Sequence, residues 1–247
     1  MMEGACDRRK VTHLKSQLSI IFSLVIFLGL LSSAEAAPVA KNIILFIGDG
    51  MGPQQLGCLL NHQKIRGKGS TAVERFLNKG VQGLSLTSPL DGHVTDSAAA
   101  ATAIACARKT LPGMVGLDCR GKAVESLLER AKKLGKGTGL ISTIRVTDAT
   151  PAAFASHIHS RYLQRQIASQ LLKTEVDVLL GGGARYFLPQ GTNLRNSFPG
   201  LYIGDTYFEM SNRRDDRNLI DEAKRIGYRT ILDSDEFHSL DGASCDK

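Results

Sequence analysis

Short apolar runs alternate along this chain with segments patterned as helices, and that alternation narrows the fold before any single residue is weighed. NIILFIGDGMG (42–52) is apolar until it breaks at Gly48, and its branched residues and glycine punctuation read as a strand buried on both faces. GTGLIST (137–143) and VDVLLGGG (176–183) read as two further strands, the latter ending in a glycine turn. The helical segments are 95–109, the clearer KAVESLLERAKKLGKG (122–137), and one over about 159–173. In 122–137 the apolar positions are 124, 127, 128, 131 and 134, lysines crowd the last turn, and Gly135 marks the stop. In 159–173, Ile167, Ala168, Leu171 and Leu172 face inward. RRDDRNLIDEAKRIGYRTIL (213–232) reads as a charged, exposed helix followed by another strand.

Strand alternating with helix means βαβ units, so the expected class is α/β, with a mainly parallel central sheet and helices on both faces. In such sheets ligands gather beyond the carboxyl ends of the strands. The 247 residues suffice for one large domain, and a hydrophobic fraction of 43% supports a buried core. A net charge of +7 is spread along the chain, which favours an anionic substrate but supplies no basic block for nucleic acid. The five cysteines, at 6, 58, 106, 119 and 245, include no CxxC pair, which argues against a zinc ribbon or a dense disulfide scaffold.

At the N-terminus, Arg8, Arg9, Lys10 and Lys15 precede LSIIFSLVIFLGLL (18–31), and Ala34 and Ala36 form an A-x-A site. This describes a cleavable secretory signal over 1–36, with 37–247 as the α/β domain. The apolar run is shorter than the roughly 20 residues that span a bilayer, so no stable membrane anchor is expected after cleavage. The expected destination is export, periplasmic or extracellular. Four cysteines would then mature where one or two disulfides can form, with their pairing open.

Four places could carry chemistry. Asp49 directly follows the first strand between glycines, where a carboxylate can hold a hard cation, although Asp-Gly is also a common turn. Asp96-Ser97 opens the helix of VTDSAAAATA, where free N–H groups and the helix dipole favour an anion; the plainer reading is Thr95 or Asp96 as an ordinary N-cap followed by alanine packing. Alanines at 98–101 would also leave room for a substrate. Asp148 and Thr150 precede Pro151, which makes Thr150 a natural N-cap, and both side chains suit magnesium. Arg161 offers a planar fork for two phosphate oxygens, or is one more surface arginine.

IGDGMG, VTDSAAAATA and DATPAA in this order, with a basic residue following, resemble the alkaline phosphatase family of metal-dependent phosphomonoesterases, from about residue 40 to 235. The resemblance implies hydrolysis of phosphate monoesters with Ser97 as a nucleophile that becomes phosphoserine. It implies two zinc ions and one magnesium. Asp49 would bridge a zinc and the magnesium, Ser97 would be zinc-bound, Asp148 and Thr150 would ligate the magnesium, and Arg161 would clamp phosphate with Asp96 orienting it. It is compatible with a homodimer.

Family members also carry later ligands: a Glu for magnesium, an Asp-x-x-x-His pair, an Asp-His dipeptide and a final His. Here no Asp precedes a His by four, there is no Asp-His, and the only Glu-Gly is Glu3-Gly4. DSDEFHS (233–239) has the wrong spacing, and His157 and His159, two apart, read as packing or surface residues rather than ligands. The expectation is a truncated product or a fragment that keeps the nucleophile half of the site. The alternative is a non-catalytic member that keeps an anion-binding cleft. A relative acting on phosphodiesters or sulfate esters is disfavoured by the match around Ser97.

Overall fold

A computed structural model of the chain describes residues 40–197, 210–232 and 234–240. The expected signal over 1–36 lies outside them. The chain divides into two compact units, Met1–Ile47 and Gly48–Lys247. Of the first, residues 40–47 are described; they form no strand, and Ile43, Ile44 and Phe46 are 74%, 79% and 85% exposed. This corrects the expectation of a strand buried on both faces. Branched, apolar residues favour extended backbone, but burial of both faces is conferred by flanking strands and covering helices, which the run itself does not specify.

In the second unit, helices α1 (Pro53–Ile65) and α2 (Ala72–Lys79) come first. The sequence pattern had not singled them out, although Pro at the start of α1 and Thr71 capping the Glu74 N–H of α2 are ordinary start signals. Helix α3 (Ser97–Cys106) is shorter than expected. It starts at the Asp96 cap, whose carboxylate accepts from the Ala99 N–H at 3.0 Å, and it stops where Ala107 turns left-handed at φ 51°. Helix α4 (Leu127–Lys133) begins five residues later than expected. Ser126 and Glu129 form a reciprocal capping box there, and Ala123 is engaged in a bridge with Leu117. Gly135, at φ 69°, follows as anticipated.

Strand β1 (Gly139–Arg145) pairs in parallel with β2 (Val178–Gly182), with Gly139 opposite Val178 and Leu140 opposite Leu179. The crossover between them contains α5 (Ala149–Ala152) and α6 (Gln164–Lys173), which makes a βαβ unit of the expected α/β class. Gly181 has no substitute: an added Cβ would sit 2.8 Å from the Ser142 carbonyl oxygen and from Val146 Cγ1. The last elements are a 3₁₀ turn (Ala184–Tyr186), α7 (Leu194–Ser197), α8 (Leu219–Arg225) and α9 (Ser234–His238).

Two further expectations change. The 213–232 segment holds α8, but Leu219 is fully buried and no strand follows it. Instead Tyr228 anchors the chain through its side chain, its hydroxyl donating to the Val176 carbonyl at 2.6 Å. Burial raises the Tyr228 pKa to about 12, so the donor stays protonated. In DATPAA the helix cap is Asp148, not Thr150, because the Asp148 carboxylate accepts from the Ala149 N–H at 2.7 Å and the helix has begun before Pro151.

The core is built largely from small residues: Ala98, Ala101 and Ala105 of α3 lie against Ala149, Ala152 and Ala153, all at most 4% exposed. The alanines of α3 therefore serve packing, as the plainer reading had it. Ile167, Ala168 and Leu171 of α6 are fully buried, as their spacing predicted. Among the described residues, Cys58, Cys106 and Cys119 are free thiols, and no helix is long and apolar enough to cross a membrane.

Candidate active site

The turn at Asp49-Gly50, with Gly50 at φ 67°, presents the Asp49 carboxylate to two hydroxyls from distant parts of the chain. Ser97 Oγ donates to Asp49 Oδ1 and Thr150 Oγ1 donates to Asp49 Oδ2, each at 3.0 Å. Ser97 is the first residue of α3 and Thr150 lies in α5, so the two helix starts converge on one carboxylate.

A second convergence lies beside it. Asp96 caps α3 and Asp148 caps α5, and Arg161 bridges both caps: Nη1 donates to Asp96 Oδ2 at 3.3 Å and Nη2 to Asp148 Oδ1 at 2.9 Å. Asp96 Oδ2 also accepts from the Gly113 N–H at 3.0 Å, and the Arg161 N–H donates to the Gly113 carbonyl at 2.8 Å. A guanidinium carries five donors, and these two bonds leave three N–H groups on a fixed plane.

Arg145, at the end of β1, holds the other oxygen of Asp148 at 2.6 Å. Burial would push the Asp148 pKa up, but the Arg145 hydrogen bond, the Ala149 N–H and the charges of Arg145 and Arg161 outweigh it and lower it below the usual carboxylate range. Both Asp148 oxygens are thus engaged by arginines and a backbone amide. That geometry suits a residue that orients Arg161 better than one that faces a cation, which differs from the pairing suggested by the Asp148–Thr150 spacing.

All six singled-out residues (Asp49, Asp96, Ser97, Asp148, Thr150 and Arg161) are therefore linked by direct hydrogen bonds into two adjacent clusters. Sequence reading missed Arg145 and Gly113. The signals were present: an Arg three residues before an acid at a strand end, and a Pro-Gly turn whose glycine N–H reaches the α3 cap. His157 is a packing residue, its ring nitrogens 2.7 Å from the Gly116 carbonyl oxygen and 2.8 Å from Glu129 Oε1. His159 is exposed.

The donor set discriminates between metals. Asp49, on an exposed turn, and Thr150, half-buried in α5, supply hard oxygens 3.0 Å apart, which fits magnesium. Zinc needs several N, S or carboxylate ligands, and among the described residues no three His, Cys, Asp or Glu side chains group to hold a metal. The described residues alone do not fit a zinc centre.

Comparison with known proteins gives the lineage. The family model for alkaline phosphatase matches residues 40–246. The repressible alkaline phosphatase of Saccharomyces cerevisiae is 35% identical over 95% of this chain and 43% of its own length. Among solved structures, the Thermus thermophilus alkaline phosphatase superposes with a TM-score of 0.71 at 28% identity, covering 83% of this chain and 39% of that one. A mutant alkaline phosphatase from the Antarctic bacterium TAB5, solved with Mg bound, superposes at 0.55 and 26% identity, covering 73% and 46%. This chain belongs to the alkaline phosphatase family. It spans less than half the length of the curated relatives it matches.

Proposed function

We infer that this chain carries the nucleophile half of a phosphate-monoester hydrolase. The observation that carries the reading is the shared carboxylate of Asp49, which holds Ser97 Oγ and Thr150 Oγ1 within one site although the residues are 48 and 101 positions away. Ser97 is the attacking group. Its oxygen forms the bond to phosphorus while the bond from phosphorus to the alcohol oxygen breaks, leaving phosphoserine and the free alcohol; water then reverses the first bond and releases phosphate.

Arg161 takes two phosphoryl oxygens with its remaining donors, and Asp96 and Asp148 hold its plane. The amides at the start of α3 add partial positive charge at the same place. Asp49 and Thr150 would hold magnesium, with Asp148 behind them fixing the clamp. When bound, magnesium supplies positive charge against the developing negative charge of the phosphoryl group. Zinc, expected from the family, requires ligands beyond the described residues. Export to a periplasm or the cell exterior is the accompanying proposal for localisation.

The test is hydrolysis of p-nitrophenyl phosphate at alkaline pH with added zinc and magnesium, alongside mass-spectrometric search for phosphate on Ser97. Turnover abolished in Ser97→Ala, with phosphoserine in the parent, supports the reading. Turnover that survives the substitution sinks it.

A further inference from the structure

Away from the Asp49 and Arg161 clusters, a cleft of about 520 Å³ opens between α6 and the loop before α8. Its lining includes four arginines, Arg165, Arg213, Arg214 and Arg217, against a single carboxylate, Asp215. Such a concentration of like charge disfavours itself unless anions offset it, so the fate of each guanidinium matters.

Two of them are already neutralised and fixed. Arg213 is 4% exposed, gripped by both oxygens of Asp215 at 2.7 Å each and by the Tyr186 carbonyl at 3.1 Å. Arg217 is held by both oxygens of Glu222, at 2.9 and 2.6 Å, and its third arm reaches Ser169 Oγ at 3.3 Å. The other two are not neutralised. Arg165 makes one contact, with the Asn212 carbonyl at 3.3 Å, and Arg214 has no partner among the described residues. The cleft thus has a fixed wall of ion-paired guanidiniums, Arg213 and Arg217, beside two guanidiniums with free donors, Arg165 and Arg214.

We propose that this cleft is a second anion site, separate from the Ser97 site, and that it takes a chain of linked phosphates. Its size lies in the range of small-molecule sites rather than of single ions. Its lining contains no aromatic and no large aliphatic side chain, so it offers no platform for a nucleobase or a lipid tail. Hydrophilic charge along a flexible anion is the chemistry that Arg165 and Arg214 can recognise through two separate forks. A single orthophosphate would engage one fork only.

The experiment is calorimetric titration of the full chain with tripolyphosphate in a metal-free buffer, at low and moderate salt. Arg165→Ala/Arg214→Ala should weaken binding by about tenfold or more, and the salt dependence should fall with it. Neither side chain supports another residue through more than one carbonyl contact, so the double variant is expected to keep the parent's melting temperature. Arg161→Ala should lose at most the binding due to the Ser97 site and keep the binding that Arg165→Ala/Arg214→Ala removes. The proposal is overturned if Arg161→Ala removes the binding, which puts the anion in the catalytic cleft. It is also overturned if a control that removes two exposed arginines outside the cleft, Arg108→Ala/Arg120→Ala, weakens binding equally, or if orthophosphate binds as tightly as tripolyphosphate.

Discussion

Helix α3 and the stretch from Val81 to Val94 are both rich in apolar residues, yet they end in opposite environments. Ala98, Ala99, Ala101 and Ala105 are at most 4% exposed, whereas Val81, Leu84 and Leu86 are 104%, 101% and 89% exposed. What separates them is fit to a neighbour. Alanines let α3 approach α5 closely, so many small contacts accumulate, and the capped helix start holds the approach in register. The 81–86 stretch has larger side chains and no helix or ladder among the described residues to receive them. Hydrophobicity sets what a segment can gain, and geometry decides whether it gains it.

Substitutions can break that contrast in order of size. The largest effect is expected on the polar edge of the α3–α5 contact: Arg161→Ala removes the bridge between the two caps, and turnover should fall by about a hundred- to a thousand-fold in steady-state kinetics. Next, Ala152→Leu forces a side chain into a fully buried contact and should cost about 1–3 kcal/mol in urea denaturation.

A smaller, pH-dependent effect should come from Asp148. Its native pKa lies below the unfolded value of about 3.9. Its contribution is therefore complete above the unfolded pKa and is lost as pH falls through the lowered native one. Denaturation midpoints taken from neutral to acid pH should fall less steeply in Asp148→Asn. The smallest effect is on the other side of the comparison: Val81→Ser and Leu84→Ser should stay within about 0.5 kcal/mol of the parent. A loss as large as that of Ala152→Leu would mean those side chains are covered in solution.

The legible parts of the sequence were those where local chemistry decides. The Thr-Asp-Ser start before an apolar run announced a capped helix within 95–109, with Asp96 one of two candidate caps, and the period of Ile167, Ala168 and Leu171 announced the inward face of α6. Where tertiary partners decide, the pattern misled. Residues 122–126 carry a helical pattern, yet Ala123 is taken by a bridge to Leu117. The run at 42–48 has strand composition without a ladder, and the tail of 213–232 trades a strand for the Tyr228 anchor. Thr150 was read as a cap from Pro151 because proline favours a first turn, but Asp148 reached the free amide first. The motifs named the six side chains that the fold brings together, while the arginine pair on Asp148 was not legible. Its second member lies on β1, and only the strand's end point brings it within reach.

The bridge from Arg161 to Asp96 spans 65 positions of sequence. At roughly 5–20 residues per second of synthesis, Ser97 leaves the ribosome about 3 to 13 s before Arg161, the residue proposed above to clamp phosphate. On the proposed function, Ser97 is made early and armed late, so a nascent or interrupted chain that stops short of Arg161 presents an ordinary capped helix to the cell and not a phosphate trap.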